Sequence, residues 1–315
     1  MRTIPLGHTG VEVSALCLGA MYFGTRTGEA TSLALLDQYV AAGGTFIDTA
    51  NIYAHWAEGG QGGESETLLG RWMKQRGNRA DLFIASKVGF EYTGVDRGLS
   101  AGRIEAECDK SLRRLGVETI DLYYAHVDDR ATPLDETLAA FDRLVQAGKV
   151  RYVGASNYTA WRLEEARAVS AAGGYPVFCG VQQRHTYLRP KPGADFDPQL
   201  AANDDLLDFC RVRSAEITLL AYSPLLGGAY TRADRPVPAE YAGPDTDARL
   251  AALRAVAAAH GATPNQIVLA WMLHSDPVVI PVFAASTPQQ MAENLGALDV
   301  ALSPSDMAQL NGASG

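Results

Sequence analysis

Cysteine is scarce in this chain of 315 residues, and its four cysteines lie far apart. None of them forms a Cys-x-x-Cys pair or lies near histidines at the spacing of a zinc site. This spread is typical of buried thiols in a reduced cytosol and not of a disulfide framework. We therefore expect a cytoplasmic protein without a bound metal. The cysteines are Cys17, Cys108, Cys179 and Cys210.

Long apolar runs and clusters of positive charge are also missing. No apolar segment approaches the roughly 20 residues of a membrane span, and residues 1–10 lack the apolar stretch of a signal peptide. The formal net charge is −9, and no run of five basic residues occurs. Because nucleic acids and anionic membranes are bound by clustered Lys and Arg, we expect neither as a partner. We expect a small-molecule substrate, and the sequence leaves open whether the protein is a monomer or a homo-oligomer.

What the sequence does contain is a regular alternation of short apolar or β-branched runs with longer segments that have helical periodicity. Strands that alternate with helices form a parallel sheet, and at this length a closed (β/α)8 TIM barrel is the simplest solution. A doubly wound open sheet is the alternative, but residues 19–24 lack the middle glycine of a Gly-x-Gly-x-x-Gly turn. The eight runs are residues 16–21, 45–49, 82–88, 120–126, 150–156, 177–182, 217–223 and 277–282.

Other segments complete the predicted architecture. Residues 1–15 resemble a β-hairpin, which we expect to close the N-terminal mouth of the barrel. Two irregular stretches, His185–Leu200 and Gly227–Pro244, are long enough to serve as lids or binding loops. No linker divides the chain, so we expect residues 1–315 to form one domain with extra C-terminal helices. The predicted helices are Thr31–Ala42, Ser65–Gln75, Ser100–Leu115, Leu134–Gln146, Ala160–Ala171, Asn203–Arg213 and Asp247–Ala259, with a further helix from Pro264.

Polar residues lie at the ends of three consecutive predicted strands. Asp48 ends the second strand with Tyr53 five residues beyond it, Lys87 ends the third strand, and His126 ends the fourth. In a (β/α)8 barrel the active site lies where the strands end at the C-terminal face, so these side chains should converge. We expect the lysine charge to lower the pKa of the Tyr53 phenol. Asp48 would hold the lysine, and His126 would orient a carbonyl oxygen.

This set of residues favours proton transfer to a carbonyl over other chemistries. No Gly-x-Ser-x-Gly elbow surrounds Ser86, and no cluster of metal ligands is present. A phenol that protonates a carbonyl oxygen while a cofactor delivers hydride to the carbon fits the set. Each residue also has a structural interpretation, such as a helix cap for Asp48. A lyase or aldolase that uses Lys87 as a Schiff-base nucleophile is a further alternative.

Longer motifs along nearly the whole chain resemble the aldo-keto reductase superfamily. PLGHTGVEVSALCLGAM is similar to the family's opening hairpin and first strand, and GGTFIDTANIY carries its Asp and Tyr at the family's spacing. ASKVG, SLRRLGVETIDLYYAH, GKVRYVGASNY and LLAYSPLLGG follow in family order. The chain is similar, as a bacterial member, to the branch that includes reductases resembling potassium-channel β subunits. The resemblance implies the TIM barrel and an NAD(P)(H)-dependent oxidoreductase.

The resemblance also implies roles for individual residues. Asp48, Tyr53, Lys87 and His126 match the catalytic tetrad, with Tyr53 as the general acid. A second set matches the residues that bind the dinucleotide across the barrel mouth, from the nicotinamide carboxamide through the stacking aromatic and the pyrophosphate loop to the adenosine end. In chain order this set is Gly19, Ser156, Asn157, Gln182, Tyr222, Ser223, Leu225, Gly227, Ala284, Ser286, Gln290 and Asn294.

One departure from the family concerns the cofactor. Members that prefer NADPH usually place Lys or Arg after strand eight, whereas here no cation occurs from residue 276 to residue 315. A 2′-phosphate without such a partner loses charge-assisted hydrogen bonds of roughly 1.5–3 kcal/mol each. We therefore expect no strong preference for NADPH, with NAD(H) used or favoured, unless Arg232 or Arg235 reaches the phosphate from its loop.

A second departure is the insertion of residues 55–63 after Tyr53, where the family continues in fewer residues. Trp56 in this insertion either walls the substrate pocket or lies at the surface. Asp128 either accepts hydrogen bonds from substrate hydroxyls or helps to cap the next helix. With Tyr22, these are the candidate substrate residues. A carboxylate beside the reacting carbonyl favours a sugar or another hydroxylated aldehyde or ketone.

Two classes of function follow from these observations. The first is an enzyme, an NAD(P)-dependent aldo-keto reductase or an alcohol or sugar dehydrogenase that interconverts a carbonyl and its alcohol. The second is a cofactor-binding regulatory subunit of a membrane channel or another partner, with little turnover. The intact tetrad argues against a purely structural role.

Overall fold

The chain opens with an antiparallel hairpin of strands β1 (Thr3–Pro5) and β2 (Glu12–Ser14) in the computed structural model, which describes residues 1–313. Its Leu6 side chain is fully buried in the apolar cluster inside the barrel. Gly7 donates its backbone N–H to Thr218 Oγ1 over 2.7 Å. Gly7 has a φ of +47°, and a Cβ there would lie 2.4 Å from the Cys179 carbonyl oxygen, so only glycine fits. The hairpin therefore closes the N-terminal mouth, as predicted.

All eight predicted runs form strands of one closed parallel barrel, which excludes the open sheet. Spatial order follows the chain, and the last strand pairs with the first. The sixth strand begins three residues later than the predicted run, at Gly180, although the Cys179 N–H already donates to the Val153 carbonyl oxygen. The strands are β3 (Cys17–Gly19), β4 (Phe46–Asp48), β5 (Phe83–Val88), β6 (Ile120–Ala125), β7 (Val150–Ser156), β8 (Gly180–Arg184), β9 (Thr218–Tyr222) and β10 (Val279–Phe283).

Helices surround this barrel, and every predicted helix is present with small shifts at its ends. Thr263 caps the helix that starts at Pro264 by accepting a hydrogen bond from the Gln266 backbone. No helix within residues 1–313 is both long and apolar enough to cross a bilayer. The helices are α1 (Glu29–Ala41), α2 (Glu64–Arg76), α3 (Ala101–Leu115), α4 (Leu134–Gln146), α5 (Ala160–Gly173), α6 (Asp204–Val212), α7 (Thr246–His260), α8 (Pro264–His274), α9 (Pro288–Leu295) and α10 (Pro304–Gly312).

Side chains fill the barrel interior in layers, because alternate residues of each strand point inward. Phe46, Ala85, Tyr124 and Leu220 belong to one buried apolar cluster that is continuous with the hairpin. Gly154 provides space for the Tyr124 ring, since a Cβ at residue 154 would lie 2.6 Å from it. The middle of the barrel is thus a packed apolar core, and only the next inward layer can carry chemistry.

Candidate active site

The inward layer at the C-terminal mouth is polar. Asp48 and Lys87 lie two residues beyond inward apolar residues of β4 and β5, and His126 directly follows β6. Asp48, Lys87 and His126 are 1%, 0% and 8% exposed, and Tyr53 in the following loop is 9% exposed. The barrel therefore brings together the four residues that the sequence placed at consecutive strand ends.

Lys87 is the centre of this cluster. Its Nζ lies 2.5 Å from Asp48 Oδ2 and donates to the Thr49 carbonyl oxygen and to Tyr53 Oη, each over 2.8 Å. These bonds use all three donors of an ammonium group. Burial lowers the pKa of Lys87, and the charge of Asp48 opposes that shift. A lysine whose three N–H groups are all engaged is a charged donor, which disfavours the Schiff-base alternative.

Tyr53 is a protonated phenol in this setting. Burial raises its pKa well above the usual value, and the charge of Asp48 adds to the shift. The expectation that Lys87 lowers this pKa is therefore wrong for the protein alone, because desolvation and the carboxylate outweigh the ammonium. Since Lys87 donates to the phenol oxygen, the phenol proton is free to point toward another acceptor. The geometry suits a proton donor.

His126 lies beside this phenol as a neutral imidazole. Its ring centroid is 6.0 Å from that of Tyr53 and 4.6 Å from that of Phe90. Burial lowers the pKa of His126 well below its usual value, and the charge of Lys87 adds to this shift. Nδ1 is buried and has no hydrogen-bond partner among the described residues. Because Nδ1 is enclosed by the protein, a ligand at this mouth would be bound through the other ring nitrogen, Nε2, of the neutral imidazole.

The two adjacent glutamines of β8 bind different parts of the protein. Gln182 points inward and donates Nε2 to the second oxygen of Asp48 over 2.8 Å. Gln183 points the other way, accepts the Asn157 backbone N–H over 2.9 Å and donates to the Tyr158 carbonyl oxygen. Sequence reasoning missed Gln183. Strand alternation was the available signal, because it turns the second glutamine away from the interior.

Asn157 lies at the centre of the region expected to hold nicotinamide. Its φ of +58° is rare for a residue with a side chain, and the bond to Gln183 holds this backbone in place. Its Nδ2 donates to the His126 carbonyl oxygen, and its Oδ1 accepts from Tyr222 Oη over 2.8 Å and from the Leu200 N–H over 3.0 Å. The amide thus joins the tetrad, the tyrosine at the end of β9 and the loop His185–Leu200.

The loop after β9 has an unusual backbone. Ser223, Leu226 and Gly227 have φ values of +56°, +48° and +65°. Leu225, with a φ of −105°, directly precedes Leu226, and successive residues of opposite handedness can turn their N–H groups to one side as a concave anion-binding site. This conformation fits the pyrophosphate role expected for Ser223, Leu225 and Gly227.

The segment after β10 is more exposed, and side chains bind its backbone. Gln290 Oε1 accepts the Ser286 N–H over 2.8 Å, and Asn294 Nδ2 donates to the Ala284 carbonyl oxygen over 3.2 Å. Gly19 lies beside this strand, and a Cβ there would be only 3.3 Å from Val282 Cγ1. Two of the candidate adenosine residues, Gln290 and Asn294, therefore shape the backbone of residues 284–286.

The candidate substrate residues lie in different settings. Trp56 is 38% exposed, and its ring packs edge-on against Tyr53 at a centroid distance of 6.1 Å. Asp128 pairs with Arg162 over 3.0 Å and with Arg130 over 3.1 Å, so neither carboxylate oxygen is free of an arginine.

Tyr22 is the remaining candidate substrate residue. Tyr22 is half-buried beneath the guanidinium of Arg26. The turn before the next helix is held by Asp129, which accepts from Leu99 and Thr132, and not by Asp128.

Apolar residues that sequence reasoning did not single out surround Tyr53. Met21, Phe90 and Tyr92 pack around it together with Ala50 and Ile52. Met21 and Phe90 each lie two residues beyond the end of a barrel strand, the first and the third, and this position was the available signal. Within residues 1–313 no three His, Cys, Asp or Glu side chains are grouped as metal ligands.

Several known proteins are similar to this chain along most of its length. The chain is 31% identical to the uncharacterized oxidoreductase YrpG of Bacillus subtilis, with 97% of this chain and 94% of that protein covered. It is 32% identical to norsolorinic acid reductase stcV of Emericella nidulans, with 96% and 78% covered. It is 30% identical to the aldo-keto reductase yakc [NADP(+)] of Schizosaccharomyces pombe, with 94% and 86% covered.

Structure and family comparisons give the same result. A crystal structure of a thermostable aldo-keto reductase in complex with the inhibitor epalrestat matches with a TM-score of 0.79 at 31% identity, over all of both chains. Residues 15–314 match the aldo/keto reductase family. The chain therefore belongs to the aldo/keto reductase family of nicotinamide-dependent oxidoreductases.

Proposed function

We propose that the protein interconverts an aldehyde or ketone with its alcohol, with Tyr53 as the general acid and base. The observation that supports this most strongly is the hydrogen bond from Lys87 to the phenol oxygen, which leaves the phenol proton free for a substrate oxygen. Bound nicotinamide would supply or accept the hydride. In reduction, His126 and Tyr53 orient the carbonyl oxygen, and Tyr53 donates its proton. Lys87 then stabilises the phenolate that is left, while Asp48 balances the lysine charge.

The residues expected to bind the cofactor fit a dinucleotide. Ser156 offers a hydroxyl and Gln182 an amide oxygen for a carboxamide, and Tyr222 offers a half-buried ring for stacking. The Asn157 amide would have to exchange its bonds to His126, Tyr222 and Leu200 for bonds to the ligand. The loop of residues 223–227 has the backbone conformation of an anion site, which suits a pyrophosphate. Ala284, Ser286, Gln290 and Asn294, with Gly19 beside them, would hold the adenosine end.

The cofactor preference follows from charge. No cation follows β10, and Arg232 is bound on two sides by Asp234, over 3.0 and 2.6 Å. We expect kcat/KM for NADH to equal or exceed that for NADPH, since a 2′-phosphate would find few cationic partners. Steady-state kinetics with both cofactors tests this expectation, and a hundredfold preference for NADPH would contradict it.

The substrate expectation shifts toward an apolar carbonyl. A hydroxylated substrate was favoured because of Asp128, but both oxygens of that carboxylate already accept from arginines. Met21, Trp56 and Phe90 around Tyr53 offer an apolar surface instead. We therefore propose aromatic or aliphatic aldehydes and ketones ahead of sugars.

A substrate panel in both directions with both cofactors tests the function. We expect turnover by the wild type and a loss of roughly 10²–10⁴-fold in kcat for Tyr53→Phe, because the proton donor is removed. Cofactor affinity, measured by fluorescence titration, should change little. Wild-type kcat in Tyr53→Phe would refute the mechanism. Cofactor binding without turnover of any carbonyl would favour the regulatory-subunit alternative.

A further inference from the structure

Glu107 is a buried carboxylate on α3 that the reaction itself does not use. The residue is only 2% exposed, yet it accepts three hydrogen bonds. Asn51 Nδ2 and Tyr92 Oη donate to Oε2 over 2.8 and 2.5 Å, and Lys110 Nζ donates to Oε1 over 2.7 Å. A core helix rarely buries a carboxylate without such partners, because desolvation of the charge is unfavourable.

The first of these partners belongs to the segment that carries the proton donor. Asn51 lies between Asp48 and Tyr53, and its backbone N–H donates to the Lys87 carbonyl oxygen over 3.3 Å. Its side chain is fully buried. The bond to Glu107 therefore ties the middle of the Tyr53 loop, residues 49–53, to α3.

The second partner belongs to the turn that forms the opposite wall. Tyr92 and Val95 exchange two backbone hydrogen bonds, of 3.0 and 2.8 Å, and so close the Tyr92 turn, residues 90–95. The Tyr92 ring lies against Gly62, where a Cβ would be 2.6 Å from it. Gly62 has a φ of +91°, so this contact requires glycine twice over.

Through this contact the turn also holds the insertion. Gly63 donates its N–H to the Tyr53 carbonyl oxygen over 3.2 Å, which closes the inserted loop back onto the proton donor. The insertion carries Trp56, whose ring packs against Tyr53. The Glu107 carboxylate thus binds both the Tyr53 loop and the Tyr92 turn, and the insertion contacts each of these segments.

We propose that Glu107 is a positioning residue that sets the width of the substrate mouth by tying the Tyr53 loop to the Tyr92 turn. Its kinetic consequences rest on the proposed carbonyl reduction. Hydrogen bonds from Lys110, Tyr92 and Asn51 outweigh burial and lower the pKa of Glu107, so the carboxylate is ionised at neutral pH. Glu107→Gln replaces an acceptor-only group with a neutral amide, which cannot satisfy all three donors.

Hydrogen exchange of the wild type and two variants tests the tie without any need for turnover. In Glu107→Gln, amides of residues 50–63 and 90–95 should exchange about tenfold faster or more, because charged hydrogen bonds are lost. Glu105→Gln is the matched control: it is the same change on the same helix, in an exposed ion pair with Arg143, and should leave both segments unchanged. Unchanged exchange in Glu107→Gln would overturn the proposal.

Tyr92→Phe provides a milder second variant, because it keeps the ring on Gly62 and removes the hydroxyl that donates to Glu107. We expect kcat to fall about tenfold. We also expect a larger deuterium isotope effect when the reduced cofactor is labelled at the hydrogen that it transfers. The cofactor Kd should stay at the wild-type value. Loss of stability with an unchanged isotope effect and KM would mean a merely structural role and would also overturn the proposal. A wild type inactive on every carbonyl would refute the proposed function, while the exchange experiment would still decide the role of Glu107.

Discussion

The two mouths of the barrel are closed in opposite ways by the same eight strands. At the N-terminal mouth the hairpin adds Leu6 and Val13 to an apolar layer, and both are fully buried. At the C-terminal mouth the inward positions carry Asp48 and Lys87, which are buried to the same extent but charged. The first end gains stability from apolar burial, whereas the second must offset desolvation by hydrogen bonds to every charged group.

The same strands therefore contribute mainly to stability at the N-terminal mouth and carry the candidate reactive groups at the C-terminal mouth. At the apolar mouth a substitution changes volume and contact, so it should alter stability and leave turnover per folded molecule intact. At the polar mouth each charged group depends on a specific hydrogen-bond or ion-pair partner, so one substitution should alter both stability and turnover.

The largest effect is expected for Lys87→Met, which leaves the Asp48 carboxylate buried without its counter-charge. Removal of one partner of a buried ion pair typically destabilises a protein by about 3–5 kcal/mol. Turnover should also be lost, since the phenolate of Tyr53 would have no adjacent cation. Urea denaturation and steady-state kinetics measure the two effects. Lys87→Met with Asp48→Asn should recover part of the stability but none of the activity, and wild-type stability in the single variant would contradict this comparison.

A smaller and purely structural effect is expected for Leu6→Ala at the opposite mouth. Truncation of a fully buried leucine typically destabilises by about 2–5 kcal/mol through lost burial and the cavity left behind. The kcat of the folded fraction should match the wild type, because the hairpin does not reach the polar layer. The exposed Val212, changed to Ala in the same assay, is the control. A tenfold loss of kcat in Leu6→Ala would show that the two mouths are coupled.

The effect that is smallest at neutral pH concerns two histidines on the polar side, and it grows on acidification. Burial lowers the pKa of His126 well below its usual value, and burial with the nearby Arg249 lowers that of His185 to about 4. The unfolded chain protonates both near pH 6.5, so the unfolded state binds more protons below that pH. Stability is then complete above about pH 6.5 and falls on acidification toward pH 4, by about 1.4 kcal/mol per pH unit for each histidine.

Denaturation between pH 7 and pH 5 measures this slope. His126→Asn should reduce the slope of the unfolding free energy against pH by the contribution of one histidine. The difference between variant and wild type then reports on the C-terminal mouth. The same slope in the variant and the wild type would mean that His126 does not contribute.

Much of the fold and part of the candidate site were predictable, because they depend on local patterns. Strand alternation places Asp48 and Lys87 on inward positions wherever their strands pair, so the convergence of the tetrad follows from a parallel barrel. Strand alternation predicts that Gln183 turns away from the interior, but the partners of Gln183 and Glu107 were not predictable, since those partners lie on other elements. The predicted direction of the Tyr53 pKa shift was wrong for a related reason. Burial raises this pKa, and burial depends on the whole barrel and not on the neighbouring lysine.

The sequence by itself determined the order of strands and helices, the closing hairpin and the types of residue at the strand ends. Periodicity and turn residues act over a few positions, so they can be read along the chain. Only the tertiary structure decided which groups meet. Gln182 binds Asp48 across 134 residues of chain, and Glu107 reaches Asn51 across 56. Such contacts depend on barrel closure, which makes distant side chains neighbours and removes the water that would otherwise separate them.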